Sequence, residues 1–215
     1  TSTENQAITV GEASGTAPEY VGSPDGEALQ LGRYTSGQVA SDPALDLTGS
    51  LTLETRFRVD TFAGTWMPLV FKGNGNTGQR TYSLWINSGG YAYLSTGDNS
   101  DQSIRSADGS VVTGQWYDVA GVIDRSTGQM RLYLNGQLVQ SGAVRTKAAI
   151  SNSQPLLIGA DNETWGSARF EGAIDTLRLW NRVLTQEEIT AGLNTQPAAG
   201  ASGLDDPGDL AVAEL

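Results

Sequence analysis

The segment FEGAIDTLRLWNRVLTQEEI, residues 170–189, changes from one type of secondary structure to another. Its first half, ending at Trp180, has the aliphatic and aromatic content of a β-strand. The next residues, LTQEEI, have the pattern of a helix start, because Thr185 is followed three positions later by Glu188, as in a capping box. The segment therefore predicts a long strand that leads directly into a short helix, and it places an acid, Asp175, inside the strand.

The composition limits the chemistry that this chain can perform. Its 215 residues include 27 Gly and no Cys or His, and they suit one large all-β domain better than two small ones. Without Cys and His there are no disulfides, zinc thiolates, imidazole bases or Ser-His-Asp triads. The net charge of −11 disfavours nucleic acid and anionic membranes as partners, whereas calcium takes oxygen ligands such as carboxylates.

The two ends of the sequence differ from its middle. The N-terminal residues TSTENQAITVGEASG lack the basic and apolar regions of a signal peptide, and no apolar run is long enough to cross a bilayer. Beyond Ile189 the sequence loses its periodicity and fills with Ala, Gly, Pro and Asp. We predict a domain over residues 1–194 and a linker over 195–215, as in a module of a longer chain, without direct membrane insertion.

Short β-rich segments separated by Gly, Asn, Asp and Ser clusters recur between these ends. The dipeptide Asn135-Gly136 predicts a type I′ hairpin turn. In residues 51–59, alternate residues are apolar and the others polar, which predicts a strand with one wet face. Strands are predicted at Ala28–Leu31, Leu51–Val59, Met67–Phe71, Thr81–Asn87, Tyr91–Ser95, Trp116–Asp124, Gln129–Asn135, Gln137–Gln140, Pro155–Ile158 and Ala168–Trp180.

The ordered segments SPDGEALQL, GSLTLETRFRVD, PLVFKG, TYSLWIN, GQWYDVAGVID, MRLYLNGQLV, LLIGAD and FEGAIDTLRLWNRVLTQEEI are similar to a known family. They resemble the laminin-G-like jelly rolls of the concanavalin-A-like lectin and glucanase group, in their bacterial form. The resemblance implies an all-β, two-sheet antiparallel jelly-roll sandwich with a short C-terminal helix that closes its end. It also implies that Asp175 is held near the sheet edge, paired with either a backbone turn or a structural calcium.

Relatives of this kind often hold calcium at the rim of the sandwich, and two segments, GDNSDQS and GADNETWGS, carry oxygen ligands at strand ends. We expect these loops to converge on a Ca²⁺. The alternative is that Asp, Asn and Ser in them only form turns, since their spacing is not that of a known calcium loop. The candidate calcium ligands are Asp98, Asn99, Asp101, Asp161 and Asp175.

Loop and outward-facing aromatic residues are candidates for stacking on the apolar faces of sugar rings. One predicted site is Trp165 with Asn162 and Glu163; a second is Trp85 with Tyr93, which face outward if their alternate neighbours are core. In each case the alternative is packing against the sheet. The remaining tryptophans, Trp66, Trp116 and Trp180, are assigned to the core or its edges.

An enzymatic function is disfavoured by the residues present. Glucanases of this fold carry a Glu-x-Asp-x-x-Glu run, which this chain lacks, and Glu171 and Asp175 on one strand would stand about 13 Å apart, too far for a retaining pair. The jelly-roll alginate lyases depend on a His that is absent. We therefore expect non-catalytic, calcium-dependent glycan binding by a monomeric module of a larger bacterial adhesin or polysaccharide-active enzyme that is secreted or held at the cell surface. A protein-binding module and a structural spacer are the alternatives.

Overall fold

The computed structural model describes residues 8–12, 19–24, 26–162, 168–192 and 209–214, and for 8–12 and 209–214 it describes the backbone. Fifteen strands, one helix and two 3-10 turns, Pro43–Leu45 and Thr77–Gln79, are formed by these residues. The strands are β1 Ile8–Glu12, β2 Glu19–Ser23, β3 Gly26–Leu31, β4 Thr35–Val39, β5 Leu51–Val59, β6 Trp66–Gly73, β7 Arg80–Asn87, β8 Tyr91–Gly97, β9 Asp101–Arg105, β10 Trp116–Asp124, β11 Gln129–Leu134, β12 Gln137–Ala143, β13 Leu156–Ile158, β14 Gly172–Trp180 and β15 Asp209–Glu214; helix α1 is Gln186–Gly192.

The strands form two antiparallel sheets that enclose one main core. The seven-stranded sheet has the order β1-β4-β13-β6-β7-β8-β9, and the eight-stranded sheet has the order β12-β11-β10-β5-β14-β3-β2, with β15 beside β14. Inward residues of both sheets, such as Leu84, Ile86 and Leu94 facing Phe57 and Ile174, belong to the same buried cluster. The predicted jelly-roll sandwich with a short C-terminal helix is confirmed.

Five strands were not predicted, and their sequences explain why. Strands β4, TSGQV, and β9, DQSIR, are short and polar, so they lack the aliphatic alternation from which strands are recognised. They form by pairing with neighbours that are more apolar, β13 and β8. The other unpredicted strands are β1, β2 and β15.

Strand β15 lies in the stretch that we predicted to be a linker. It pairs antiparallel with β14 over the range from Thr176↔Glu214 to Trp180↔Asp209. Strand β3 pairs with the first part of β14, from Gly172 to Ile174, so β3 and β15 share one edge of that strand. The C-terminal stretch thus contains regular structure, while its role as a connection to another domain remains a prediction.

The hairpin predicted at Asn135-Gly136 joins β11 to β12. Both residues have positive φ, 49° and 75°, as a type I′ turn requires. Asn135 is one of two non-glycine residues with positive φ in the described part of the chain. Its side-chain oxygen also accepts a hydrogen bond from the Asp118 backbone N–H at 2.9 Å, which ties the turn to β10.

Strand β5 shows the predicted alternation but not the predicted wet face. Leu51, Leu53, Phe57 and Val59 are fully buried in the core. On the opposite face, however, Thr52, Glu54 and Arg56 are also buried, because the segment after β14 turns back over this sheet. Leu184 and Ile189 of that segment pack there with Ala120, Val122 and Tyr133.

Helix α1 begins with the predicted capping box. The Glu188 N–H donates to Thr185 Oγ1 at 3.2 Å, and the Thr185 N–H donates to Glu188 Oε2 at 2.7 Å. The Thr185 backbone N–H holds the pKa of Glu188 below its usual range. The short helix is therefore fixed at its start, with Ile189 as its buried contact.

Among the described residues, no helix combines the length and apolar character needed to span a bilayer.

Candidate functional site

The outer face of the seven-stranded sheet carries an aromatic cluster. Strand alternation puts Leu84, Ile86 and Leu94 in the core, so Trp85 of β7 and its cross-strand partner Tyr93 of β8 point to the other side. Trp66 of β6 and Tyr91 of β8 both pair with Asn87 and lie on that same side. We call Trp66, Trp85, Tyr91 and Tyr93 the aromatic face.

Trp66 is the exposed ring at the centre of this cluster. Its centroid lies 5.0 Å from that of Tyr93, 6.0 Å from Tyr91 and 6.3 Å from Trp85, with interplanar angles of 63°, 81° and 81°. These edge-to-face contacts fix the ring while 38% of the residue stays exposed to solvent. Trp66 was assigned to the core or its edges, and that assignment was wrong.

Trp85 faces outward as predicted, but it is only 2% exposed. Phe71 packs edge-on against it at 5.6 Å, and the Arg80 guanidinium covers its ring at 4.8 Å. Its indole N–H donates to Ser83 Oγ at 2.7 Å. A ring this covered cannot stack on a ligand, so the predicted role of Trp85 as a platform is corrected to support of Trp66.

Beside Tyr93 lies a polar cluster centred on Asp101. The Tyr93 hydroxyl donates to Asp101 Oδ2 at 2.9 Å, and Ser95 and Ser103 donate to the two carboxylate oxygens at 2.6 and 3.3 Å. Burial raises the pKa of Tyr93, so the phenol remains a donor. Asp101, predicted as a calcium ligand, is therefore an acceptor within a hydrogen-bond network that borders the aromatic face, with Arg80 Nη1 at 3.7 Å.

The opposite border of the aromatic face is formed by Arg105 and the loop that follows it. The Arg105 guanidinium lies 4.4 Å above the Tyr91 ring and forms an ion pair with Asp108 at 2.5 Å. This loop is held by the β7–β8 turn, where Gly90 O accepts from Val111 N at 2.9 Å. Gly90 has φ +71°, and a Cβ there would lie 2.6 Å from Val111 O, so this close approach requires glycine.

The predicted rim residues lie at the far end of the same sheet. Gln79 donates to Asn99 Oδ1 at 2.6 Å, while Asn162 accepts from the Gly75 N–H at 3.3 Å and donates to Gly73 O at 3.1 Å. Seven residues of β6 separate Gly73 from Trp66, or about 23 Å of strand. The structure therefore joins Asn99 and Asn162 through the β6–β7 connection, but it does not bring Asn162 to the aromatic face.

The predicted carboxylate ligands have separate surroundings. Asp98 pairs with Arg145 at 2.8 Å and accepts from Gln102, and Asp161 accepts from the Ala168 N–H at 3.2 Å. Asp175 is buried in β14 of the other sheet, beside a register shift, and its Oδ2 has no hydrogen-bond partner. Within the described ranges, no three acidic side chains gather at a point that could hold a metal ion.

A buried ammonium lies at this rim. Lys72, the penultimate residue of β6, is fully buried, and its Nζ donates to Asn152 O at 3.1 Å and to Gln154 O. Burial lowers the pKa of Lys72, while the nearby carboxylate of Asp46 opposes that shift. Asp46 in turn accepts from Ser151 and from the Asn152 N–H. The connection over 151–154 is thus held by a lysine cation and its acidic neighbour.

Trp165 and Glu163, the other predicted sugar-binding residues, lie outside the described residues. They stay predictions.

A small polar pocket lies on the other sheet, beneath α1. It is lined by Glu54, Arg56, Asp118 and Arg178, among others, and Arg56 makes a two-pronged pair with Asp118 at 2.8 and 3.0 Å. Trp180 donates its indole N–H to Glu54 Oε2 at 2.7 Å. Burial raises the pKa of Glu54 above its usual 4.5, although the Trp180 hydrogen bond opposes this. These paired charges hold the helix-covered face together.

Glu54→Gln should reveal this burial as a pH-dependent change in stability. A folded-state pKa above the unfolded one favours the fold below the unfolded pKa, and this gain is lost as pH rises through the folded pKa. Glutamine keeps an acceptor for Trp180 but does not titrate. The stability of the variant relative to wild type should therefore increase from about pH 4 to about pH 7 in urea unfolding. A stability of the variant minus that of wild type that stays constant or falls as pH rises would contradict this.

Comparison with known proteins assigns the family. Residues 31–190 match the model of the laminin G-like family described as Concanavalin A-like lectin/glucanases superfamily. This match covers most of the chain, and the two-sheet sandwich is the same architecture. The protein belongs to this family of laminin G-like domains.

Individual relatives are distant. The adhesion G-protein coupled receptor V1 of Danio rerio is 28% identical over 138 residues, which is 60% of this chain and 2% of the receptor. Domain 4 of AbnA, a GH43 extracellular arabinanase of Geobacillus stearothermophilus, solved with arabinotriose, has a TM-score of 0.66 at 18% identity, with 86% of each chain covered. The binding domain of botulinum neurotoxin DC, solved with rat synaptotagmin II, has a TM-score of 0.66 at 16% identity, covering 88% of this chain and 46% of that one. At such identities the structural likeness shows the fold alone.

Proposed function

We propose that this domain binds a glycan, without catalysis, through the aromatic face of its seven-stranded sheet. The observation that carries the proposal is the exposed, laterally fixed ring of Trp66. An indole held in place by neighbouring rings loses little entropy on binding and offers a flat surface to the C–H groups of a sugar ring. Tyr91 and Tyr93, which flank it, are each partly exposed.

Polar groups beside the aromatic face suit sugar hydroxyls. Asp101, Ser103 and Tyr93 form a preset network of donors and acceptors next to Trp66. Binding sites for small polar ligands combine an apolar surface with a few polar groups that fix orientation. The arabinotriose in the structure with domain 4 of the arabinanase supports a glycan as the class of ligand.

We also propose that the domain binds the glycan without catalysing a reaction. Glycosidases use two carboxyl groups on either side of the scissile bond. At the aromatic face, Asp101 accepts hydrogen bonds from three hydroxyl groups, and Asp108 is held in an ion pair with Arg105. These contacts suit carboxylates that organise a surface. The domain would then deliver a larger extracellular protein to a polysaccharide.

Calcium at the rim remains part of the prediction, although the described carboxylates do not converge on one point. Lys72 already supplies a cation to rim carbonyls. If calcium binds the folded state, melting temperature must rise with calcium and fall with EDTA. Equal melting temperatures in the two buffers would overturn calcium dependence without affecting the glycan proposal.

A protein ligand is the second candidate. Strand β12 lies at the edge of its sheet and exposes two apolar side chains, Leu138 and Val139, at 47% and 39%. Such an edge can accept a further strand from a partner. The neurotoxin binding domain solved with synaptotagmin II supports a protein ligand for a domain of this fold.

A glycan array followed by calorimetric titration of the strongest ligand separates these candidates. Glycan binding that is unchanged by Leu138→Lys and strongly weakened by Trp66→Ala supports the first candidate. The second is supported if no glycan binds, and if a protein ligand binds the wild-type domain in the presence of free sugars but does not bind the Leu138→Lys variant. If neither a glycan nor a protein binds, the domain is a spacer and the proposed function is wrong.

A further inference from the structure

The charges around the aromatic face indicate which class of glycan it binds. This inference rests on the proposed function. We propose that the face selects neutral glycans and rejects forms that carry carboxylate or sulfate groups. The proposal is based on the observation that each of the two arginines bordering the face lies beside a carboxylate.

All 13 Lys and Arg residues of the chain lie within the described residues, so those in the strands of this sheet can be surveyed completely. In the seven-stranded sheet they are Lys72, Arg80 and Arg105. Lys72 is fully buried among rim carbonyls. Only Arg80 and Arg105, of the cations on this sheet, border the aromatic face.

Arg80 is buried, and its contacts are with other residues of the protein. It is 7% exposed, lies over Trp85, donates to Ser95 Oγ at 3.1 Å and stands 3.7 Å from Asp101 Oδ1. A guanidinium recognises a carboxylate through two parallel N–H donors that must be free to turn toward it. Arg80 is too covered to present them to a ligand.

Arg105 is more exposed, but Asp108 neutralises it. The ion pair of 2.5 Å uses Nη1, and the guanidinium plane rests on Tyr91. An acidic sugar placed on Trp66 would therefore meet Arg105 together with the carboxylate of Asp108, and Arg80 together with that of Asp101. On both sides a carboxylate offsets the cation, while the net charge of −11 repels anions approaching from solution.

The test uses an array on which neutral oligosaccharides are printed beside sialylated, sulfated and uronate forms of the same backbones. The neutral member of each bound pair should bind at least about tenfold more tightly at low salt, and the ratio should shrink as salt screens the net charge. Asp108→Asn releases Arg105 and should bring the ratio down to about threefold or less, because one free guanidinium then faces the ligand.

Glu187→Gln is the matched control, since it removes one negative charge from the exposed surface of α1. If the local pair sets the preference, Glu187→Gln leaves the ratio near that of wild type. The inference is overturned if acidic forms bind as well as neutral ones and Trp66→Ala weakens the binding of both, a result that would leave the proposed glycan-binding function standing. It is also overturned if Asp108→Asn and Glu187→Gln change the ratio equally. If no glycan binds, the proposed function itself is wrong.

Discussion

Replacing Trp66 by alanine is expected to weaken glycan binding by about thirtyfold, or about 2 kcal/mol, as for an aromatic side chain at the centre of a binding site. The ring is the most exposed part of the aromatic face, and Tyr91 and Tyr93 cannot replace its surface. The free energy of folding should fall by a similar or smaller amount, about 1–2 kcal/mol, because only edge-to-face contacts are lost. Calorimetric titration with the strongest array ligand measures the first effect and urea unfolding the second.

Trp116→Ala is the matched control for this variant. Trp116 is partly buried at the start of β10 in the opposite sheet, beneath the Arg58 guanidinium at 5.2 Å. It should reduce stability without changing glycan affinity. Equal losses of affinity in the two variants would mean that the effect comes from general destabilisation, and the aromatic face would then no longer be the site.

Replacing Lys72 by methionine is expected to cost about 3 kcal/mol of folding free energy. Methionine fills a similar volume but has no donor, so the carbonyls of Asn152 and Gln154 and the carboxylate of Asp46 lose their cation. At 2–4 °C per kcal/mol for a domain of this size, the melting temperature should fall by about 6–12 °C.

Lys147→Met provides the comparison. Lys147 is exposed and lies on the connection before β13, where its backbone carbonyl, not its side chain, accepts from Arg125. Its replacement should change stability by less than about 0.5 kcal/mol. Similar melting temperatures for Lys72→Met and wild type would show that the buried ammonium does not hold the rim.

The sequence was sufficient to predict those features that depend on interactions between residues close together in the chain. The capping box of α1 needs only Thr185 and Glu188 at the right spacing, and the β11–β12 hairpin needs only a pair that tolerates positive φ. The order of the strand-like segments resembled that of a known family, and this resemblance predicted the sandwich fold. Polar strands such as β9 could not be recognised, because their pairing depends on a neighbouring strand.

The candidate site could not be predicted in full, because it depends on contacts between side chains of different strands that the sequence alone does not reveal. Alternation correctly put Trp85 on the outer face, but it could not show that Arg80 and Phe71 cover that ring. Trp66 directly precedes the apolar run of β6, so it looked like part of the core. A signal was available: Met67 is a core residue, and alternation then directs Trp66 outward toward Tyr91 and Tyr93.

The most direct test of the aromatic face follows the five tryptophan indole N–H signals by NMR, assigned by substitution, while the strongest neutral glycan from the array is added. We expect the Trp66 signal to shift most, the signal of Trp85 beneath it to shift less, and the signals of Trp116 and Trp180 on the other sheet not to change. Shifts confined to Trp116 and Trp180, or to Trp165, would place the glycan elsewhere and show that the aromatic face is not the binding site.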